Sequence, residues 1–112
     1  MTEQHERFIG PKENFGRGSH GSIVNVLIAF LLGWAAGRWD QEKRDTLPVL
    51  IPDEEYGPAL VRVVGVFQSE EGLDADGRCG PATRAYLRKK LNLDLEAIPL
   101  GPNDVICDED AA

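Results

Sequence analysis

The stretch from Glu54 to Leu87, "EEYGPALVRVVGVFQSEEGLDADGRCGPATRAYL", decides how this chain folds, because it says nearly the same thing twice. Tyr56-Gly57-Pro58-Ala59 opens a partly apolar run, and 23 residues later Cys79-Gly80-Pro81-Ala82 opens another. The same shift places Asp53 on Asp76 and Leu60 on Thr83. Glycine relaxes the backbone in a tight turn, and proline at the first helical position sacrifices no hydrogen bond. Each Gly-Pro is therefore expected to start a helix.

The first of these helices is predicted from Pro58 to about Glu71. Leu60, Val63, Val64 and Phe67 form an apolar stripe at helical spacing, Arg62 and Gln68 face solvent, and Gly72 closes the C-terminus. The second starts at Pro81 and turns Tyr86, Leu87 and Leu91 inward, with Arg84, Arg88, Lys89 and Lys90 outside. Its basic end complements the helix dipole. Between the two, "GLDADGRCGP" buries Leu73 and Cys79 under a loop. The Asp76-Gly77 pair makes the turn, and its carboxylate is free to accept backbone N–H groups.

Taken together, Tyr56-Gly57-Pro58, Val63-Val64, Phe67-Gln68, Gly72-Leu73, Asp76-Gly77, Gly80-Pro81, Thr83 and Leu87 resemble the small three-helix peptidoglycan-binding domain that accompanies bacterial and phage cell-wall hydrolases. The resemblance covers about residues 53–91. It implies an all-α module that grips cell wall without cutting it. There are departures: Thr46 to Ile51 carries Pro48 where the family has a leading helix, Glu54 stands where a glycine is common, and Leu60 where a threonine is common. The first repeat is thus the degenerate one.

Upstream, residues 1–20 mix charges and glycines without an apolar period and are expected to form a flexible arm. "GSIVNVLIAFLLGWAAGRW", residues 21–39, has no charge before Arg38 and Asn25 as its one strongly polar residue. As a helix it would reach roughly 28 Å, close to the thickness of a bilayer's hydrocarbon core. With Trp34 and Trp39 as interface anchors and Arg38 reaching the headgroups, a single transmembrane helix is expected. A buried core helix and a cleaved signal peptide are the rivals. Ala29, Gly33 and Gly37 recur every four residues and offer a self-association stripe inside a bilayer.

Residues 40–52 read as a linker with an apolar docking patch at Leu47 to Ile51, residues 53–107 as the module, and residues 108–112 as a frayed acidic tail. Ile98, Leu100, Val105 and Ile106 are available to fold back on the helices. Six basic and six acidic residues fall in positions 1–45, against six and thirteen in 46–112, so the net charge of −7 belongs to the C-terminal part. An acidic module without a basic stripe is expected not to bind nucleic acid.

Catalytic chemistry is sparse. His5 and His20 lie in the arm, too few for a zinc site, and Cys79 has no histidine nearby in the module. Glu70, Glu71, Asp74 and Asp76 follow one another along a helix end and loop, as solvated charge does, and "DADG" lacks the later glutamate of a calcium loop. Neither enzyme activity, a metal nor a cofactor is expected. Cys79 and Cys107 permit one disulfide, which would fit an oxidising compartment, with a buried free thiol at Cys79 as the alternative. Sugar hydroxyls, amides and carboxylates suit a groove with an aromatic wall, amides and an arginine, and by residue type Tyr56, Arg62, Gln68, Arg84 and Tyr86 are the ligand-binding candidates, the alternatives being that Gln68 only bridges its helix to the loop backbone and that Tyr86 is mostly core. Gly57, Pro58, Asp76, Gly77, Gly80, Pro81 and Thr83 are assigned to holding the turns.

The expectation is a membrane-anchored protein whose C-terminal module, in the periplasm or outside the cell, ties the bilayer to peptidoglycan. A bacteriophage virion component using the module for wall contact or assembly is the alternative. A protein-interaction adaptor is a third.

Overall fold

The computed structural model describes residues 6–47, 50 and 55–109. Four α-helices follow in order: α1 (Ser22–Ala36), α2 (Gln41–Thr46), α3 (Pro58–Glu70) and α4 (Pro81–Leu91), with a 3-10 turn at Leu95–Ala97. The described residues form no β-strand longer than isolated bridges, so the fold is all-α.

Both Gly-Pro pairs start helices, with Gly57 and Gly80 as N-caps and proline in the first turn. The backbone reason differs from the expected one. Gly57 (φ −100°, ψ −172°) and Gly80 (φ −80°, ψ −173°) are extended, a conformation open to any residue. Helix α3 does end as its sequence dictates: Gly72 turns left-handed (φ 78°), Gly72 N–H donates to Ser69 O (3.3 Å) and Leu73 N–H to Gln68 O (2.7 Å). That is the paired bonding of a Schellman cap, which satisfies carbonyls the helix leaves open.

Phe67 is the hub of the core. Its ring meets Trp34 (centroids 4.9 Å), Phe30 (6.1 Å) and Tyr86 (6.4 Å) edge to face, tying α1 and α4 to α3. Each such aromatic pair contributes about 0.5–1.5 kcal/mol beyond its buried area. Val63, Val64, Phe67 and Leu87 are all buried in this one nucleus.

The expected membrane span is overturned here. Helix α1 has 15 residues and so rises only about 22 Å; no described helix is long and apolar enough to cross a membrane. Its apolar residues are spent inside the domain: Ile23, Val24, Leu27, Ile28, Leu31 and Trp34 are buried. The opposite face, Ser22, Asn25, Ala29, Gly33 and Ala36, is small or polar and exposed, with Leu32 exposed at its edge, so the protein covers α1 mainly on one side. Trp34 and Trp39 meet edge to face at 5.4 Å, with Arg38 over the Trp34 ring at 5.5 Å, instead of anchoring at a lipid interface. With the bilayer goes the setting for the Ala29, Gly33 and Gly37 stripe. Ala29 and Gly33 face solvent, and Gly37 lies past the helix end.

Residues 6–20 are a strap, not a loose arm. Ile9 and Phe15 are buried, and the strap bridges Leu100 from Arg7, Cys79 from Phe15, and both Glu55 and Val105 from His20. The tail folds back as expected, Leu95 fully buried and Leu100 N–H donating to Arg7 O (2.7 Å). Asp104 then reaches across the fold to cap α1, accepting from Ser22 N–H (2.7 Å) and Gly101 N–H (2.8 Å). A carboxylate at a helix N-terminus contributes about 0.3–1 kcal/mol. In the expected linker, Asp40 caps α2 through Lys43 N–H, and Leu47 and Leu50 are half-buried against the core. The rest of the apolar patch, at 48, 49 and 51, lies outside the described residues, as do His5, Asp53 and Glu54. The tail's Asp108 pairs with Arg78 and is itself mostly buried.

Cys79 and Cys107 are free thiols, Cys79 buried, so the structure holds the free-thiol alternative and not the possible disulfide. Cys79 N–H donates to Phe15 O (2.8 Å), while Gly16 N–H donates to Cys107 O (2.9 Å). That C=O and N–H belong to one planar trans peptide and point opposite ways. The strap therefore runs between the two cysteines. Backbones on either side of a paired strand lie about 9–10 Å apart, beyond the roughly 7 Å a disulfide spans.

A candidate cleft at the second Gly-Pro turn

Gln68 organises the second turn from below. It is 0% exposed, and its Nε2 lies within reach of Arg78 O (2.7 Å), Asp76 Oδ1 (3.0 Å) and Thr83 Oγ1 (3.0 Å), two protons shared among three acceptors. Its Oε1 accepts from Gly77 N–H (2.9 Å). Asp76 Oδ1 also accepts from Arg78 N–H (2.9 Å), the carboxylate-to-backbone bond expected of an Asp-Gly turn. Gly77 has φ 77°, and a Cβ there would stand 2.6 Å from Val61 Cγ1. Glycine is required at that point.

Above this network lies a cleft of about 130 Å³ lined by Leu73, Asp74, Asp76, Gly80 to Thr83, and Asn14 of the strap. Leu73, Pro81 and Ala82 give it an apolar side; Asp74, Asp76 and Asn14 give it polar groups at exposed positions. Two other clefts differ in chemistry. The one of about 330 Å³ beside α1 and α2 is lined, among the described residues, by Leu32, Ala35, Ala36, Trp39, Leu47, Leu50 and Val63, with Arg44 the charged one of them. That of about 420 Å³ lies between strap and tail, with Arg7, Phe8, Leu100 and Val105 among its walls.

The five residues singled out as ligand contacts by type are redistributed. Tyr56 is buried and donates its hydroxyl to Gly77 O (2.6 Å). Burial, first, and the nearby Cys79 and Asp76 hold its pKa well above the ordinary tyrosine value. Gln68 is spent on the loop. Arg84, expected in solvent, is 1% exposed, and its guanidinium donates to Cys79 O (2.6 Å), Glu96 Oε2 (2.9 Å) and Gly10 O (3.0 Å). It ties α4 to the strap and to the 3-10 turn. Tyr86 is half-buried with its hydroxyl on Glu71 Oε1 (3.1 Å), and partial burial together with that carboxylate raises its pKa. Of the five only Arg62 is exposed, and it lines none of these three clefts.

Of the residues assigned to the turns, Asp76, Gly77 and Thr83 are hydrogen-bonded in the loop network, and Asp76, Gly80, Pro81 and Thr83 also line the cleft. Asn14 was not among the candidates. Nothing local to "KENFG" signals that this amide would arrive beside Gly80; its neighbour Phe15, a lone aromatic in a polar stretch, was the readable hint of an anchor.

Residues 44–87 match the family model described as "Putative peptidoglycan binding domain". The match begins within α2, takes in all of α3 and ends in α4, so the second Gly-Pro turn and its loop lie inside it, while the strap, α1 and the tail lie outside. Searches of curated proteins and of solved structures gave no match.

Proposed function

We propose that the peptidoglycan-binding domain formed by residues 44–87 makes this chain a wall-binding protein, and that wall ligand enters the cleft between the Asp76-Gly77 loop and the start of α4. The family match carries the reading. The chemistry of the cleft supports its placement, since hydroxyl- and amide-bearing ligands need polar groups converging beside a small apolar platform. Leu73, Pro81 and Ala82 supply the platform; Asp74, Asp76 and Asn14 supply the polar groups. The larger cleft beside α1 is too apolar for such a ligand, and the one between strap and tail lies outside the matched segment.

The reading is of a binding module. It makes no use of the carboxylates as a catalytic pair: Glu70 receives the Trp39 indole N–H (3.2 Å) and pairs with Lys43 (2.5 Å), and Glu71 pairs with Arg38 (3.4 Å). Co-sedimentation of the full chain with purified, protein-free sacculi tests the reading, with cellulose as control. Retention by sacculi alone is expected. Equal recovery from both pellets, or from neither, would remove the basis for it.

A further inference from the structure

We infer that Asn14, from outside the matched segment, is a specificity-determining residue of the cleft and hydrogen-bonds a secondary amide of the wall polymer. The inference rests on the reading of the cleft as a wall-binding site.

The strap holds Asn14 in place without using its side chain. On one side, Glu13 N–H closes a turn on Gly10 O (3.0 Å) and its carboxylate receives Gly10 N–H (2.6 Å). On the other, Phe15 is fully buried, its ring 5.3 Å from Tyr56 and its carbonyl paired with Cys79. Between these anchors Asn14 is exposed, and no described residue partners its carboxamide. A carboxamide held at a cleft wall with donor and acceptor both open can meet either end of an amide, accepting from its N–H or donating to its C=O.

The approach to α4 is close. A Cβ built on Gly80 would lie 3.0 Å from Asn14 Oδ1. Glycine there keeps the space beside the amide open, although its backbone angles would suit any residue. The volume of about 130 Å³ suits one small group, not a whole sugar chain. Asp74 and Asp76 on the same walls disfavour a carboxylate and favour a neutral partner, and of the neutral groups the amide is the one whose N–H and C=O match the two ends of the Asn14 carboxamide in kind. Wall polymer carries such amides in two places, on N-acetylated sugars and along its short peptides.

The test uses the full chain, Asn14→Ala and Asn14→Asp, with sacculus affinity and thermal unfolding measured on each. Because the side chain makes no bond within the protein, both variants are expected to unfold with the parent. Affinity is expected to fall about tenfold in Asn14→Ala, as loss of one hydrogen bond implies, and at least as far in Asn14→Asp, which adds a third carboxylate. An N-acetylglucosamine oligomer and a synthetic wall peptide then compete with sacculi for each protein. The fragment that displaces the parent more readily than Asn14→Ala identifies the source of the amide. Parent-like sacculus binding by Asn14→Ala, or competition by neither fragment that depends on Asn14, overturns the inference and leaves the wall reading standing. A parent chain that ignores sacculi takes both down.

Discussion

At Tyr56-Gly57-Pro58 and at Cys79-Gly80-Pro81 the chain makes the same move. A buried residue pairs its backbone with the strap, an extended glycine follows, and proline opens a helix. Tyr56 N–H donates to Ser19 O (2.9 Å) and Cys79 N–H to Phe15 O (2.8 Å), so one strap of a few residues pins both turns. Three positions further on they part. Leu60 drops into the apolar core, whereas Thr83, its counterpart, meets Gln68 in a polar network under the cleft. Repetition of a turn thus conserves a way of fastening chain to scaffold; the side chain one turn into the helix decides whether a site can form above it.

Removing what the turns share has the largest effect. Phe15→Ala empties a fully buried position whose ring packs on Tyr56 and whose backbone holds Cys79. A cavity of that kind costs about 3–5 kcal/mol, a large part of a small domain's stability. Chemical denaturation is expected to show the loss in one transition. Two separate transitions would mean that the turns are fastened independently.

Gln68→Leu should damage the second turn alone. The side chain is similar in size, but Gly77 N–H and Arg78 O lose their partner, at about 1–3 kcal/mol for each buried group left unsatisfied. We expect a net loss of roughly 2–4 kcal/mol and weaker sacculus binding. In hydrogen exchange, Gly77 should lose protection while Tyr56 N–H keeps it. Equal loss at both would contradict a local role.

How much of this could be read in advance follows from the range of the forces involved. The helix starts, the Schellman end at Gly72 and the Asp76-Gly77 turn are set by residues within a few positions of one another, so the sequence spells them out. Gln68, Arg84 and Tyr56 misled as ligand groups because a polar side chain predicts exposure only when no buried backbone group waits opposite. Here Gly77, Cys79 and Gly10 supply those partners from 9, 5 and 74 positions away in sequence. Helix α1 misled for a related reason. Its composition suits lipid and core equally, and what separates them, the small exposed face and the Phe67 hub, depends on an element more than thirty residues downstream. Asn14 carried no signal at all until the strap was placed.

Alkali should separate the turns by their buried acids. Burial pushes the Cys79 thiol up to about 12, and Tyr56 is also raised. Below an unfolded thiol's pKa of about 8.5, both states hold the proton and nothing is lost. Above it the unfolded chain ionises while the folded one does not, so stability falls by roughly 1.4 kcal/mol per pH unit until the folded pKa is reached. Tyr56 adds its own decline above about pH 10. Cys79→Ala is expected to flatten the urea midpoint between pH 9 and 10 and leave the later fall in place. An unchanged profile would show that Cys79 ionises freely in the folded state.

The finest comparison sets Gly57→Ala against Gly80→Ala. Neither glycine has a positive φ, so neither substitution strains the backbone. Alanine restricts the unfolded chain, a gain of about 0.4–1 kcal/mol, and is a poorer N-cap than glycine by a similar amount, so stability should move by a few tenths of a kcal/mol or less in both. The surroundings differ. A methyl at Gly57 meets nothing within 4 Å, whereas one at Gly80 lies 3.0 Å from Asn14 Oδ1, the movable end of an exposed side chain. Asn14 can yield, which spares stability, but the methyl then occupies the cleft. Matched unfolding curves with sacculus affinity reduced only in Gly80→Ala are expected. Equal affinities would show that the second turn, like the first, is scaffold alone, and that wall contact is made on another face of the domain.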